Sequence, residues 1–264
     1  MAEKHECGGC GGCGGGGHHP PQEPQKTPVN ELSKVKKVIA LAGGKGGTGK
    51  SLVTGLLAAG LVRQGKQVAI LDADIGGPAI PLMFAFPQSV TRGEAGLYPA
   101  ISDSGLKAMS ISLITENEMD IITTRGAAMA GITEQLWTGV IWDEIDVLLI
   151  DLPPGLGDVT QFVFEQLPLD GVLAVTTPQE VANQAVRRTL HLAGELRVPV
   201  LGLVENFSES FGGTGAETVS REFQLPIIDS LPLDPRLSIA ADAGGLEALE
   251  TAYLANTIRL LADM

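Results

Sequence analysis

Read for hydrophobic period, the chain alternates short runs that are apolar at almost every position with longer stretches of helical spacing. Val35–Leu41 is β-rich and apolar and ends in glycines. Leu52–Arg63 follows with helical spacing, then Gln67–Leu71, a second apolar run ending at Asp72. Further runs of this kind are Leu106–Ile114, Val147–Ile150, Val172–Thr176, Val200–Val204 and Ile227–Leu231. Helical stretches such as Pro178–Leu196 and Leu246–Leu261 separate or follow them. A strand with one wet face alternates polar and apolar residues, whereas a strand covered on both faces does not. The pattern therefore predicts an α/β fold, a mainly parallel sheet covered by helices on both faces. Ligands of such sheets sit beyond the carboxyl ends of the strands.

Residues 1–33 break the pattern. They read Cys-Gly-Gly-Cys-Gly-Gly-Cys, a glycine run, His18-His19-Pro20-Pro21 and a Pro/Gln stretch, and nothing there can build a core. The expected organisation is a flexible tail over 1–33 and one domain over 34–264. At 264 residues and 44% hydrophobic, the chain can bury a substantial core.

Charge narrows the classes. The formal net charge is −13, from 18 basic and 31 acidic residues. Nucleic-acid affinity comes mostly from clustered Lys and Arg, so no nucleic-acid partner is expected. Lys34, Lys36 and Lys37 are the densest basic group and read as a solvated strand edge. No apolar run approaches the roughly 20 residues of a membrane helix, and the N-terminus lacks a signal-type apolar segment. A cytoplasmic protein with no membrane partner is expected. All three cysteines, Cys7, Cys10 and Cys13, lie in the tail, so the body has no disulfide framework. The tryptophans Trp137 and Trp142 read as core or dimer packing.

The chemistry begins after the first strand, at Gly43-Gly44-Lys45-Gly46-Gly47-Thr48-Gly49-Lys50-Ser51. Gly44 to Ser51 fits G-x-x-x-x-G-K-[ST]. Its glycines let backbone N–H groups curl around phosphate oxygens. Lys50 is expected at the β- and γ-phosphates of ATP, and the Ser51 hydroxyl on Mg2+. The helix starting at Lys50 points its positive end at the anion. Three aspartates follow in a fitting chain order. Asp72 and Asp74 close the second strand, and Asp151 closes the run Val147–Ile150. Carboxylates at these ends can hold Mg2+ directly or through water. Asp151 is the expected acidic partner of the metal, Asp72 its support, and Asp74 the group that orients the attacking water.

Lys45, a second lysine inside the loop, makes this segment resemble the deviant Walker A motif K-G-G-x-G-K-[ST] of the MinD/ParA class. The resemblance implies an ATP-dependent homodimer in which Lys45 reaches the partner's nucleotide and supplies charge in trans. Further segments are similar to the Mrp/Nbp, or ApbC-type, iron–sulfur cluster carriers. These are Leu71-Asp-Ala-Asp-Ile-Gly-Gly-Pro, Arg125-Gly-Ala-Ala-Met, Asp151-Leu-Pro-Pro-Gly, Thr176-Thr-Pro-Gln and Glu205-Asn-Phe-Ser. The resemblance covers the chain from Lys45 almost to its end. It implies a slowly hydrolysing ATPase that binds a cluster and passes it to recipient apo-proteins or an assembly scaffold. It also puts Asn206 and the Pro232–Asp234 segment near the adenine, with a turn-capping amide as the competing role for Asn206.

Typical members follow Glu-Asn-Met-Ser with a Cys-x-x-Cys segment that bridges a cluster across the dimer. Here Glu205-Asn-Phe-Ser runs into Glu209-Ser-Phe-Gly-Gly-Thr-Gly, without either cysteine. The remaining thiols are the C-x-x-C-x-x-C of Cys7, Cys10 and Cys13, whose spacing suits one cluster, expected as 4Fe-4S, or one metal ion. His5, His18, His19 or a second subunit is available as a further ligand. A single-metal chaperone using this tail remains an alternative, as does a MinD/ParA-like switch without a cluster. The C-terminal Thr257–Met264 matches a basic membrane-surface helix poorly.

Overall fold

The computed structural model describes residues 26–86, 90–115 and 126–264. The central sheet is laid down from β1 (Lys34–Gly43), β2 (Val68–Asp72), β5 (Ala100–Ile101), β6 (Lys107–Met109), β7 (Glu144–Asp151), β8 (Gly171–Thr176), β9 (Val200–Asn206) and β10 (Ile227–Leu231). Their spatial order is β10-β9-β8-β1-β7-β2-β6-β5. All neighbours are parallel except β5, which runs antiparallel to β6. A small antiparallel hairpin, β3 (Thr91–Gly93) with β4 (Gly96–Tyr98), stands apart. The apolar runs are buried as their pattern requires, with every residue of β2 and β8 inaccessible.

Helices cover both faces. On one side lie α1 (Lys50–Arg63), α2 (Ile80–Met83), α7 (Pro235–Asp242) and α8 (Ala255–Asp263), sharing a core with Ile39, Leu41, Ile70 and Leu149. On the other, α3 (Ala127–Gly139) and α4 (Asp158–Gln166) pack on Val38, Ala40, Leu71, Leu148 and Ile150. There α5 (Glu180–Glu195) and α6 (Gly215–Phe223) close a smaller cluster. Alternate residues of β1 thus enter opposite cores, the period-two consequence of a two-sided sheet. Trp137 and Trp142 are both core residues. The mainly parallel, doubly covered sheet matches the sequence expectation.

Two expected elements are shorter than their apolar runs. Leu106–Ile114 gives only the three residues of β6, then a 3-10 turn at Ile111–Leu113. The buried Ser110 ends the strand because its hydroxyl turns to Asp72 and Ser112. Leu246–Leu261 gives a 3-10 turn at Leu246–Ala248 and, after an irregular link, α8. The carbonyls of Glu247, within the turn, and Leu249, just after it, accept from Arg63 and so serve tertiary contact rather than a continuing helix. Asp229 then restarts the helix by accepting from the backbone N–H and the hydroxyl of Thr257.

The body also begins earlier than Lys34. Lys26 donates to the carbonyls of Phe164 and Glu165 at the end of α4, and the Thr27 N–H donates to Gln166. The Trp137 indole donates to the Thr27 carbonyl, Asn30 to Thr138, and the Trp142 N–H to the Ser33 hydroxyl. Residues 26–33 form a strap along the end of the sheet where the parallel strands start. A mostly polar stretch without hydrophobic period carries little signal for such docking, because most of its contacts are hydrogen bonds, several to helix C-termini, with Val29 packing against the core. The three lysines at the start of β1 pair with Glu144, Asp146 and Asp170, the solvated edge their position suggested.

Candidate functional site

The expected site segments gather at the opposite end of the sheet, where the parallel strands finish. Gly43–Ser51 joins β1 to α1, the central position where the strand order reverses direction. Among the described residues, none accepts a hydrogen bond from the backbone N–H groups of Lys45 to Ser51. A run of unpaired amides opening onto a helix N-terminus is what an oxyanion needs and what a plain turn would avoid. Gly49 has φ +78°, and a Cβ there would lie 2.2 Å from Nδ2 of Asn206. At Gly44 a Cβ would lie 2.4 Å from the Ala182 carbonyl, so the loop rests on the start of α5.

The charged centre lies beneath the loop. Lys50 Nζ is 2.7 Å from Asp151 Oδ1, with both side chains buried. The same carboxylate accepts from Ser51 Oγ at 2.6 Å and lies 2.7 Å from the buried Thr54 hydroxyl. Thr54 sits one helical turn after Lys50, on the same face of α1. The i+4 spacing is a signal that could have found it.

Asp72 is fully buried beside this centre. It accepts from the N–H groups of Asp74 and Ile80 and from the Ser110 hydroxyl, so it holds the 73–80 loop in place. Burial pushes its carboxyl up to about 8, and Asp151 adds to the rise while Lys50 and the Ile80 N–H oppose it. Asp74 is half-buried and is also raised, first by burial, with Lys50 opposing and Asp151 adding. Both aspartates therefore sense the Lys50–Asp151 pair. Lys45 is exposed on the outer edge of the loop.

The base side lies at the ends of β9 and β10, which meet at the pair Leu231 and Asn206. Asn206 is buried. Its amide donates to the Thr48 carbonyl and accepts from the Phe207 N–H. It caps the turn at Phe207, whose φ is +61°, and braces the phosphate loop as well. One N–H and one lone pair of the amide are left over. Pro232 is half-buried in the link after β10. Asp234 caps α7 and is bonded by the Arg236 guanidinium and the Tyr253 hydroxyl, which hold its carboxyl below the usual carboxylate range. Cys7, Cys10 and Cys13 lie outside the described residues, as does Arg125. Among the described residues, no group of three or more His, Cys, Asp or Glu side chains could hold a metal ion.

Unpaired loop amides, a lysine and a serine hydroxyl meeting one strand-end carboxylate, and a doubly covered parallel sheet define a phosphate-loop nucleotide-binding protein. Lys45 distinguishes this loop within that class. The chain belongs to the family described as ParA, NUBPL iron-transfer P-loop NTPase, whose model matches residues 34–262. It is 37% identical over 214 residues to an iron-sulfur cluster carrier protein of Methanocaldococcus jannaschii, covering 76% of this chain and 74% of that one. It is 39% identical over 222 residues to the cytosolic Fe-S cluster assembly factor NUBP1 homolog of Caenorhabditis elegans, covering 76% and 70%. Among solved structures, it resembles an Archaeoglobus fulgidus nucleotide-binding protein in complex with ADP. The TM-score is 0.73 at 34% identity, with 83% of this chain and 91% of that one covered. The cell division ATPase MinD of Pyrococcus furiosus shares the fold, at TM-score 0.65 and 20% identity over 86% and 97% of the two chains.

Among the described residues, no helix is long and apolar enough to cross a membrane.

Proposed function

We propose that this chain is an ATP-driven carrier that takes up an iron–sulfur cluster and passes it to recipient apo-proteins or an assembly scaffold. The observation that carries the nucleotide half is the Lys50–Asp151–Ser51 centre under a loop of unpaired amides. The cargo half is supported by the iron-sulfur cluster carriers that the chain resembles over three quarters of its length.

The residues present fit ATP and Mg2+. The N–H groups of Lys45–Ser51 receive phosphate oxygens, and Lys50 exchanges Asp151 for the β- and γ-phosphates. Ser51 and Asp151 are the residues that would hold Mg2+, with Asp72 fixing the neighbouring loop. When bound, Mg2+ neutralises charge on the phosphates and fixes their geometry. Asp74 orients the attacking water. Asn206, through its unused donor and acceptor, and the Pro232–Asp234 segment lie against the adenine. Lys45 acts across a homodimer and supplies charge to the partner's nucleotide, so that occupancy biases closure against opening. Hydrolysis is slow because switching, not turnover, is the task.

The chain's only cysteines are Cys7, Cys10 and Cys13, so a cysteine-held cluster must use them. Anaerobic reconstitution of the intact protein and of the triple Cys→Ser variant tests this. The intact protein is expected to take up iron with equimolar sulfide and the variant neither. Equal loading of both, or of neither, refutes the assignment, and zinc or nickel without sulfide would favour a single-metal chaperone. Lys50→Ala is expected to abolish ATP binding, and unchanged binding would overturn the site.

A further inference from the structure

Thr54 is the donor to Asp151 that the proposed exchange of partners leaves without a task. Its side chain lies inside α1 and is fully buried. A threonine within a helix usually gives its hydroxyl proton to the carbonyl four residues back. Thr133, Thr138, Thr189 and Thr218 all do so in this chain. Thr54 has the same option in the Lys50 carbonyl, at 3.0 Å. Asp151 Oδ1 is nearer, at 2.7 Å, and a charged acceptor makes the stronger bond. A hydroxyl carries one proton, so that proton goes to the carboxylate.

The two oxygens of that carboxylate are held differently. Oδ1 meets Lys50 and Thr54, and Oδ2 meets Ser51. Under the proposed function Lys50 turns to the phosphates and Ser51 to Mg2+. Ser51 is half-buried and Lys50 keeps some accessible surface, whereas Thr54 has none and lies one turn further along α1, away from the loop. Its hydroxyl is therefore out of a ligand's reach and stays on Oδ1. The carboxylate needs that bond. The last torsion of an aspartate has broad minima, so a carboxylate without a fixed donor can swing. A buried carboxylate stripped of donors is also costly.

We infer that Thr54 is a positioning residue of the metal site, holding Asp151 Oδ1 whether or not nucleotide is bound. Oδ2, the oxygen on the Ser51 side, is thereby kept in place for Mg2+. The inference rests on the proposed nucleotide and Mg2+ reading and adds to it a residue outside the phosphate-loop motif. Thr54 touches neither the metal nor the nucleotide and acts through Asp151 alone. Its loss accordingly weakens the response to metal and spares the binding of metal-free nucleotide.

The test is calorimetric titration of ADP into the full-length protein, without Mg2+ and at rising Mg2+ concentrations. The variants are Thr54→Val, which keeps the shape and loses the donor, and Thr54→Ser, which keeps the donor. In Thr54→Val the Mg2+ concentration that gives half of the gain in ADP affinity is expected to rise about tenfold, the effect of one lost hydrogen bond to a charged group. Metal-free ADP affinity is expected to stay within about twofold of the parent. Thr54→Ser is expected to match the parent in both. Thr54→Ala, a second variant without the donor, is expected to behave as Thr54→Val and replaces it if the valine variant does not fold. An unchanged Mg2+ response in Thr54→Val or its replacement would overturn the inference. So would an equal loss of ADP affinity with and without Mg2+, the mark of a purely structural role, or a failure of Thr54→Ser to restore the response. A parent that does not bind ADP would instead overturn the nucleotide site, and one that binds ADP without responding to Mg2+ would overturn the metal reading, and this inference with it.

Discussion

The Lys50–Asp151 pair gives the sharpest quantitative test. Asp151→Asn keeps the shape of the side chain and removes its charge. In the nucleotide-free protein three donors converge on that carboxylate, and Lys50 and Asp151 are only 7% and 0% exposed. After the change the ammonium remains buried against a neutral amide, whose NH2 group faces another donor. Removing one partner of a buried pair costs about 3–5 kcal/mol. For a domain of this size each kcal/mol shifts the melting temperature by about 2–4 °C, so the loss is on the order of 10 °C. Thermal unfolding followed by circular dichroism reads it directly. ADP gives Lys50 a new anionic partner, so it should stabilise the variant by more degrees than it stabilises the parent, which must first break its own ion pair. A variant that melts within about 2 °C of the parent without nucleotide would refute the reasoning, since the pair would then carry no net stability.

Other outcomes follow from the same geometry. Asp72 has a folded-state carboxyl raised to about 8, so the folded protein holds that proton more tightly than the unfolded chain between about pH 4 and pH 8. Its stabilising share is complete below pH 4 and is lost as pH rises through 8. Metal-free Asp72→Asn should therefore lose less stability than the parent between pH 5 and pH 8, by up to roughly 4 kcal/mol, and parallel melting curves would disprove this. Gly44→Ala sets a Cβ against the Ala182 carbonyl and the Val186 backbone. It should cost about 1–3 kcal/mol and weaken ADP binding, both measurable by titration and melting. Deleting residues 1–33 should destabilise the protein by about 2–4 kcal/mol relative to deleting 1–25, because the Trp137 indole and the Trp142 N–H lose their acceptors. Equal melting of the two truncations would show that the strap contributes nothing.

Much of the fold was legible because a two-sided sheet writes its strands as unbroken apolar runs. β1, β2, β7, β8, β9 and β10 all lie where those runs are. The phosphate loop was equally plain, since its glycines, lysine and serine are contiguous. The rest depended on contacts distant in sequence. Nothing local marks Ser110 as the end of β6, because its partner Asp72 is 38 positions away. Asn206 was open between base contact and turn cap, and only the folded chain reveals its bond to Thr48, 158 positions away.

The strap has a consequence for how a carrier of this design would handle cargo. Residues 26–33 are fixed where the strands start, while the phosphate loop lies where they end, with β1 spanning the distance of about 33 Å between them. The chain from Cys13 to Lys26 can extend about 43–47 Å. The sequence separation between Cys13 and the docked Lys26 is therefore no shorter in contour than the sheet is long. If two copies of the proposed carrier pair through their phosphate-loop ends, both docked straps face away from the junction. A cluster on the proposed cysteines would then be joined to the body at the end of each subunit that the pairing leaves uncovered.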